Sequence, residues 1–245
     1  MKKYKIALAG NPNVGKSTIF NVLTNSRQHT GNWSGKTVAN ASSSYYGKSC
    51  YEVYDLPGTC SIISHSKEEL IARDFLCFSS DIDCTVVVCS AVSLEKGLNL
   101  VLQILEITSN VLLVVNLMDE ASKKQIKIDI EKLASILGIK VIATAATYNK
   151  GIEELKRLIA KECCSEKKKN LYRLEYGAVL EKEISEVSSY IKNYRNKRWL
   201  SLRLLSGDRD IGQSLKRNLG IDLEKNSALI NALLQAKKRL ENVDV

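Results

Sequence analysis

The sequence lacks the features that mark secreted, membrane-spanning and zinc-binding proteins. It has no apolar run of about 18 residues, so no membrane-spanning helix is predicted. The N-terminal apolar segment is too short for a signal peptide. No Cys-x-x-Cys pair occurs among the seven cysteines, and the two histidines are not spaced as metal ligands. These absences, with 44% hydrophobic and 26% charged residues, favour a soluble protein of the reducing cytoplasm.

For the cysteines, structural roles are the favoured interpretation. Cys84 and Cys89 flank a run of β-branched residues, which is typical of buried thiols in a core strand. The adjacent pair Cys163 and Cys164 is compatible with a soft-metal or redox site, but the end of a helix is the favoured interpretation.

Positive charge is concentrated toward the C-terminus. Of the net charge of +9, residues 165–245 hold 17 Lys and Arg against 11 Asp and Glu, and the first 164 hold 19 against 16. A basic surface of this kind suits nucleic acid or an anionic membrane, and a merely solvated surface is the alternative.

The first 160 or so residues alternate apolar, β-branched runs with helical patterns. Runs without polar alternation indicate strands that are buried on both faces of a parallel sheet. We predict strands at 4–9, 51–56, 84–90, 111–116 and 141–144. We predict helices at 16–23, 66–78, 94–108, 129–137 and 151–161, with Asp129 and Gly138 at the ends of the fourth. This rhythm predicts an α/β, Ras-like doubly wound, mostly parallel sheet.

The pattern changes after Cys164. A polar linker at 165–170 precedes helical periodicity at 171–194, 199–205 and 223–240, and no further strand is predicted. We therefore predict two domains, a nucleotide-binding domain over 1–164 and a small all-α domain over 165–245.

Residues 10–17 match the phosphate-binding pattern Gly-x4-Gly-Lys-Ser, between a predicted strand and a predicted helix. Glycine-rich backbone and a helix N-terminus present N–H groups to phosphate oxygens. Lys16 is expected to contact the β- and γ-phosphates, and the Ser17 hydroxyl to bind Mg²⁺. The expected nucleotide contacts here are Gly10, Asn11, Asn13, Val14, Gly15, Lys16, Ser17 and Thr18.

Asp55-Leu56-Pro57-Gly58 follows another predicted strand. Asp55 is expected in the Mg²⁺ shell, and the Gly58 backbone amide can approach the γ-phosphate. Such turns are common alone, but this one stands about 40 residues after the phosphate loop, where a GTPase needs it.

Asn116-Leu117-Met118-Asp119 predicts guanine recognition. A carboxylate at Asp119 can accept two N–H bonds from guanine that adenine cannot supply, with Asn116 bracing the loops and Met118 beside it. Residues Thr144, Ala145 and Ala146 follow the next strand, where a backbone N–H can reach guanine O6. Ala145 stands where many small GTPases carry serine, so that side chain's bracing bond is lost. The four motifs in this order predict a GTPase.

A glycine-rich segment, 29–38, separates the phosphate loop from Asp55. Thr37 is placed to bind Mg²⁺ only when a γ-phosphate is present, Gly35 lies beside it, and Trp33 is expected to change environment on nucleotide exchange.

Here the sequence resembles the bacterial ferrous iron transport protein B (FeoB) family, in its cytosolic part. The matching runs are Gly31-Asn32-Trp33-x-Gly35-x-Thr37-Val38, Gly10-Asn11-Pro12-Asn13-x-Gly15-Lys16, Asp55-Leu56-Pro57-Gly58-Thr59, Ile71-Ala72-Arg73-Asp74, Arg198-Trp199-Leu200 and Leu204-Leu205-x-Gly207-Asp208. They extend over almost the whole chain.

The resemblance implies K⁺ on Asn11 as an activator, which would offset charge as an arginine finger does. It places Lys16, Thr37, Gly58 and Asn11 in catalysis, and Ser17, Thr37 and Asp55 on Mg²⁺. Thr59 replaces the water-positioning Gln of Ras-like proteins, so hydrolysis of GTP to GDP should be slow. The first-switch backbone, Glu68 or Glu69 could position the water, although the glutamates are better explained as a solvated helix start.

The resemblance also implies that the helical part slows GDP release, as a GDP-dissociation-inhibitor-like spacer. The chain would then be a soluble fragment at the cytoplasmic face of the bacterial inner membrane. Its partners would be the transporter's own transmembrane domain and anionic lipid, with a homodimer or homotrimer open and no nucleic acid expected.

Two other interpretations are weighed against this one. A soluble GTPase of ribosome assembly or tRNA modification would use the basic tail on RNA, but residues 165–245 have no Gly-x-x-Gly loop of the K-homology type. A binding-only module with a dead site is disfavoured because Lys16, Ser17, Thr37 and Asp55 are all present.

Overall fold

The computed structural model describes residues 2–25, 41–63, 66–79, 81–165, 174–191 and 194–241, without the side chains of Ala41 and Arg209. The chain divides into two units, Met1–Leu171 and Tyr172–Val245. The first unit holds a sheet flanked by helices, and the described part of the second is helical.

The sheet of the first unit has six strands. They are β1 (Lys3–Gly10), β2 (Ala41–Tyr46), β3 (Cys50–Asp55), β4 (Cys84–Ser90), β5 (Val111–Asn116) and β6 (Lys140–Ala143). Their order is β2-β3-β1-β4-β5-β6. Strand β2 runs antiparallel to β3, and the other neighbouring pairs are parallel. The predicted doubly wound, mostly parallel α/β fold is confirmed.

The neighbouring inner strands β4 and β5 are buried at every position, which explains why their sequences are mostly apolar. A core cluster on one side of the sheet includes Phe20, Val86 and Leu155, each at most 1% exposed. Burial of this kind is the main favourable contribution to folding.

The first unit also has six α-helices among its described residues, five between strands and one after β6. They are α1 (Lys16–Thr24), α2 (Lys67–Phe78), α3 (Leu94–Leu105), α4 (Met118–Lys123), α5 (Ile130–Leu137) and α6 (Ile152–Cys164). The predicted ends of α5 are confirmed, because the Asp129 side chain accepts a hydrogen bond from Lys132 N and Gly138 closes the helix with φ of 65°.

Strand β2 and helix α4 were not predicted. Strand β2 is a serine-rich edge strand with little apolar signal, and Tyr45 supplies its packing by stacking on Tyr51 at 4.8 Å. Helix α4 has six residues, too few for a helical period to be recognised.

The second unit contains α7 (Ala178–Ser188), α8 (Lys197–Leu205), α9 (Arg209–Leu219) and α10 (Ser227–Glu241). The predicted helix over 171–194 was too long, because α7 begins after Gly177, whose φ is 87°. The predicted helix over 223–240 is a short 3₁₀ turn, Leu223–Lys225, followed by α10. Helix α9 was missed because Ile211 and Leu215 alone form its fully buried apolar face.

Two ion pairs join segments of this helical unit. Arg203 contacts Asp208, which also caps α9, and Arg239 makes a two-pronged contact with the buried Glu183. Over the described parts of the chain, none of the helices has the length and apolarity to cross a bilayer.

Candidate functional site

The predicted motifs meet at one edge of the sheet. Gly10, Asp55 and Asn116 are the last residues of β1, β3 and β5, and Thr144 directly follows β6. These four strands are parallel, so their carboxyl ends lie at the same edge. Ligands of open α/β sheets bind at this edge.

The predicted phosphate loop borders an open cavity of about 450 Å³. The N-terminus of α1 opens onto it, and the first residues of a helix have N–H groups without partners in the helix. The loop is therefore suited to an anion. The cavity is lined by Asn11, Pro12, Asn13, Gly15, Lys16, Ser17, Thr18 and Gly58.

Glycine is required at position 15. The backbone has φ of 81°, and a Cβ there would lie 2.3 Å from Nδ2 of Asn116. The missing side chain thus lets the phosphate loop approach the end of β5.

Two opposite charges lie beside the cavity. The Lys16 ammonium forms a buried ion pair with the Asp55 carboxylate. Burial raises the pKa of the Asp55 carboxyl, and the charge of Lys16 opposes that rise. The residues expected on phosphate and on Mg²⁺ are therefore neighbours in the folded chain.

Asn116 is 1% exposed and joins three segments. Its Nδ2 donates to Val14 O at 3.0 Å, and its Oδ1 accepts from Thr144 Oγ1 at 2.9 Å and from Ala146 N at 3.1 Å. One side chain thus ties the phosphate loop to the loop after β6.

Asp119 lies in the first turn of α4 and is partly exposed. Leu117 before it has φ of 63°, which turns the chain sharply, and Met118 N donates to Thr144 O at 3.2 Å. The segment that carries Asp119 is therefore bonded to the loop after β6.

The loop after β6 differs in one detail from the sequence expectation. Ala145 N donates to Lys150 O at 3.2 Å, and Ala146 N donates to Asn116 Oδ1. Both N–H groups are thus already hydrogen-bonded within the protein. A contact from Ala146 to guanine O6 requires a three-centre hydrogen bond or a small shift of the loop.

Thr59 is 1% exposed, and its hydroxyl donates to Ser61 O at 2.6 Å. The residue at the place of the water-positioning glutamine is therefore engaged within its own segment. Ser61 and Ile62 in turn contact Gln103 of α3. Gln103 was not predicted, because a single glutamine on an amphipathic helix carries no signal.

Asn11 lies between the phosphate cavity and a second cavity of about 270 Å³ that reaches α3. Its Nδ2 donates weakly to Lys96 O at 3.4 Å. Its Oδ1 is buried without a hydrogen-bond partner among the described residues. An orphaned carbonyl oxygen beside a phosphate loop fits a cation ligand.

The two glutamates considered for water positioning lie at the start of α2. Ser66 and Glu69 form a capping box, in which the Ser66 side chain accepts from Glu69 N at 3.2 Å. This contact supports the structural interpretation of Glu69, and Glu68 is an exposed residue of the same turn.

Three residues of the predicted site belong to the segment between the phosphate loop and β2. Gly35, Thr37 and Trp33 lie outside the described residues. Across the residues that are described, no cluster of three or more His, Cys, Asp or Glu side chains is arranged to hold a metal. Cys163 and Cys164 end α6, the first buried and the second within 3.3 Å of the Tyr4 hydroxyl.

Two family models match this chain. The model of ferrous iron transport protein B covers residues 4–159, and the model of the FeoB cytosolic helical domain covers residues 176–243. The Fe(2+) transporter FeoB of Escherichia coli (strain K12) is 36% identical over 216 residues, which are 85% of this chain and 27% of that protein.

Solved structures agree with these matches. The cytosolic domain of T. maritima FeoB in GDP form I superposes with a TM-score of 0.79 at 35% identity, over 99% of this chain and 96% of that one. Its GMPPNP form gives a TM-score of 0.78 at 35% identity, over 98% and 96%.

Proposed function

This chain belongs to the ferrous iron transport protein B family, and we propose that it binds GTP and hydrolyses it slowly. The arrangement that carries the proposal is the meeting of four motifs at one sheet edge, with Asn116 joining the phosphate loop to the predicted base loop. The related T. maritima domain has been solved with GDP and with GMPPNP, which supports the same ligand here.

The phosphate chain would lie in the 450 Å³ cavity over the N-terminus of α1. The negative charge of the phosphate chain would draw the Lys16 ammonium away from Asp55, because a triphosphate carries more negative charge than one carboxylate. Asp55 and the Ser17 hydroxyl are oxygen donors of the kind that holds Mg²⁺, and Thr37 would join them. Magnesium, when bound, neutralises charge on the β- and γ-phosphates.

Guanine would bind at Asp119, whose carboxylate accepts both N–H groups of the base edge. Adenine leaves that carboxylate without these donors, so discrimination should be strong. The apolar side chains of Leu117 and Met118 lie beside Asp119 in the same turn. The loop after β6 would contact the base as well, and its residues are Thr144, Ala145 and Ala146.

Hydrolysis is expected to be slow, because Thr59 stands at the place of the water-positioning glutamine of Ras-like proteins and its hydroxyl is turned toward Ser61. A potassium ion is the cation proposed to assist hydrolysis, because the buried Oδ1 of Asn11 suits K⁺ as a ligand. Potassium, when bound, would offset charge that develops during phosphoryl transfer. The residues proposed to act in catalysis remain Lys16, Thr37, Gly58 and Asn11.

Phosphate release under single-turnover conditions tests this proposal. The wild-type chain should release phosphate from GTP at about 10⁻³ s⁻¹, near the unassisted rate of small GTPases, and should not use ATP. Substitution Lys16→Ala should weaken nucleotide binding at least about thirtyfold and abolish phosphate release, whereas Lys225→Ala, in a turn of the helical unit, should change neither. Equal turnover of ATP and GTP would contradict the guanine assignment.

The chain spans about a quarter of the length of the curated relatives it matches, so its role in transport is a further part of the proposal. We propose that it is the regulatory GTPase part of a ferrous iron transporter, at the cytoplasmic face of the membrane. The helical unit would slow GDP release, and its basic excess would face anionic lipid.

Iron uptake and nucleotide release provide the tests. Within the complete transporter, Lys16→Ala should abolish nucleotide-dependent Fe²⁺ uptake while the protein still reaches the membrane. Separately, a chain ending at Ser165 should release GDP faster than the chain of 245 residues. Equal release rates would show that the helical unit does not retain GDP.

A further inference from the structure

A single side chain of α3 holds the segment that follows Gly58. Oε1 of Gln103 accepts a hydrogen bond from Ser61 Oγ at 3.0 Å and another from Ile62 N at 2.9 Å. Ile62 is fully buried, so its N–H needs a partner inside the protein. Gln103 supplies that partner from an element 41 positions away in sequence.

The hydrogen bonds continue from Ser61 to the phosphate loop. Ser61 N donates to Thr59 Oγ1 at 3.2 Å, and Thr59 Oγ1 donates to Ser61 O at 2.6 Å. Thr59 N donates to Gly10 O at 3.0 Å. A continuous set of contacts therefore connects α3 with the last residue of β1.

Gly58 is positioned by these contacts because it directly precedes Thr59. It lines the phosphate cavity beside the loop, and a Cβ at this position would lie 3.3 Å from Pro12 Cα. Gly58 therefore packs closely against Pro12 of the phosphate loop. A small displacement of its segment would move the Gly58 N–H group relative to the cavity. A backbone N–H contributes to binding only within a narrow range of distance and angle.

We propose that Gln103 is a positioning residue that keeps Gly58 N–H within reach of a γ-phosphate and so favours GTP over GDP. The proposal rests on the proposed function, because it concerns the same nucleotide. GDP lacks the γ-phosphate, so this contact cannot contribute to its affinity. The loss of Gln103 should therefore weaken binding of a triphosphate and spare binding of a diphosphate.

The chemistry of the side chain makes glutamine suitable. Its Oε1 accepts both bonds from the segment while its Nε2 donates to Asn99 Oδ1 at 3.3 Å, which fixes the amide orientation. A glutamate keeps both acceptor positions, whereas alanine keeps neither. Substitution of Asn99 removes only the orienting bond.

The experiment measures equilibrium affinities for GDP and for the non-hydrolysable analogue GMPPNP, with Mg²⁺ and K⁺. In Gln103→Ala, GMPPNP affinity should fall about tenfold, the loss of one charge-assisted hydrogen bond from Gly58 N–H, with GDP affinity unchanged. Gln103→Glu should restore most of the wild-type ratio of the two affinities. Asn99→Ala, on the same helix, should change the ratio less than Gln103→Ala.

Three results would overturn the inference. They are an unchanged ratio in Gln103→Ala, an equal loss for both nucleotides, and a ratio in Gln103→Glu as low as in Gln103→Ala. If Gln103→Ala does not fold, Ser61→Ala on the partly exposed segment serves instead, and it should lower the ratio in the same direction. A wild-type chain that binds neither nucleotide would refute the proposed function itself, whereas normal wild-type binding with an unchanged mutant ratio refutes the role of Gln103 alone.

Discussion

Substitution of Asn116 by alanine tests whether this side chain holds the site together. It removes the hydrogen-bond partner of the Val14 carbonyl, the Thr144 hydroxyl and the Ala146 N–H. All three residues are at most 4% exposed, so water replaces the lost partner poorly. Each buried polar group that loses its partner costs about 1–3 kcal/mol, so we expect a loss of at least about 3 kcal/mol.

A loss of that size is large against the stability of an ordinary domain, about 5–15 kcal/mol. For a domain of this size it lowers the midpoint of thermal unfolding by about 6–12 °C. Differential scanning calorimetry of the full chain measures the shift, and the transition of the sheet-containing unit is the one that saturating GDP raises. GDP affinity of the variant should fall as well, because the phosphate loop and base loop are no longer joined.

The matched control is Asn231→Ala, at an exposed position of α10. Alanine favours helices over asparagine, so this variant should unfold at the wild-type temperature or slightly above it. If Asn116→Ala unfolds within about 2 °C of the wild type, the three hydrogen bonds do not carry the stability assigned to them, and the account of the site is wrong.

Three further predictions concern charge, cation and thiols. Lys16→Ala should weaken GDP binding at least about thirtyfold, the loss of one charge-assisted contact, as measured by fluorescence titration with a labelled nucleotide. Turnover of GTP should be faster in K⁺ than in Na⁺, and Asn11→Ala should remove that difference; a variant that keeps the difference would exclude Asn11 as the ligand. At pH 8 a thiol reagent should label Cys60 and Cys164 first, because the other five cysteines are buried and burial raises the pKa of Cys89 to about 12. Rapid labelling of all seven in the native chain would contradict the packing of the sheet.

The sheet and its motifs were predictable because their signals are local. Strands such as β4 and β5 are mostly apolar runs rich in β-branched residues, and the pattern at 10–17 is defined by residue type and spacing. Parallel pairing then brings the ends of β1, β3, β5 and β6 to one edge without any knowledge of side-chain contacts.

The missed features depend on contacts between distant residues. Strand β2 forms because β3 offers an open edge, and its serines carry no apolar pattern. Gln103 is meaningful only because residues 61 and 62 fold back onto α3. The engaged N–H of Ala146 follows from the rotamer of Asn116, which no spacing rule gives.

The ion pair between Lys16 and Asp55 stabilises the binding site in the free chain, although both residues are assigned to the nucleotide and its metal. Each charge is buried, and a buried charge without a partner is costly. The pair removes that cost in the free chain, yet both groups are the ones assigned to phosphate and Mg²⁺. A nucleotide with its metal would supply each group with an opposite charge, so the two can separate without leaving either one unpaired. Phosphate alone would leave Asp55 unpaired, and we therefore expect Mg²⁺ and the triphosphate to strengthen each other's binding.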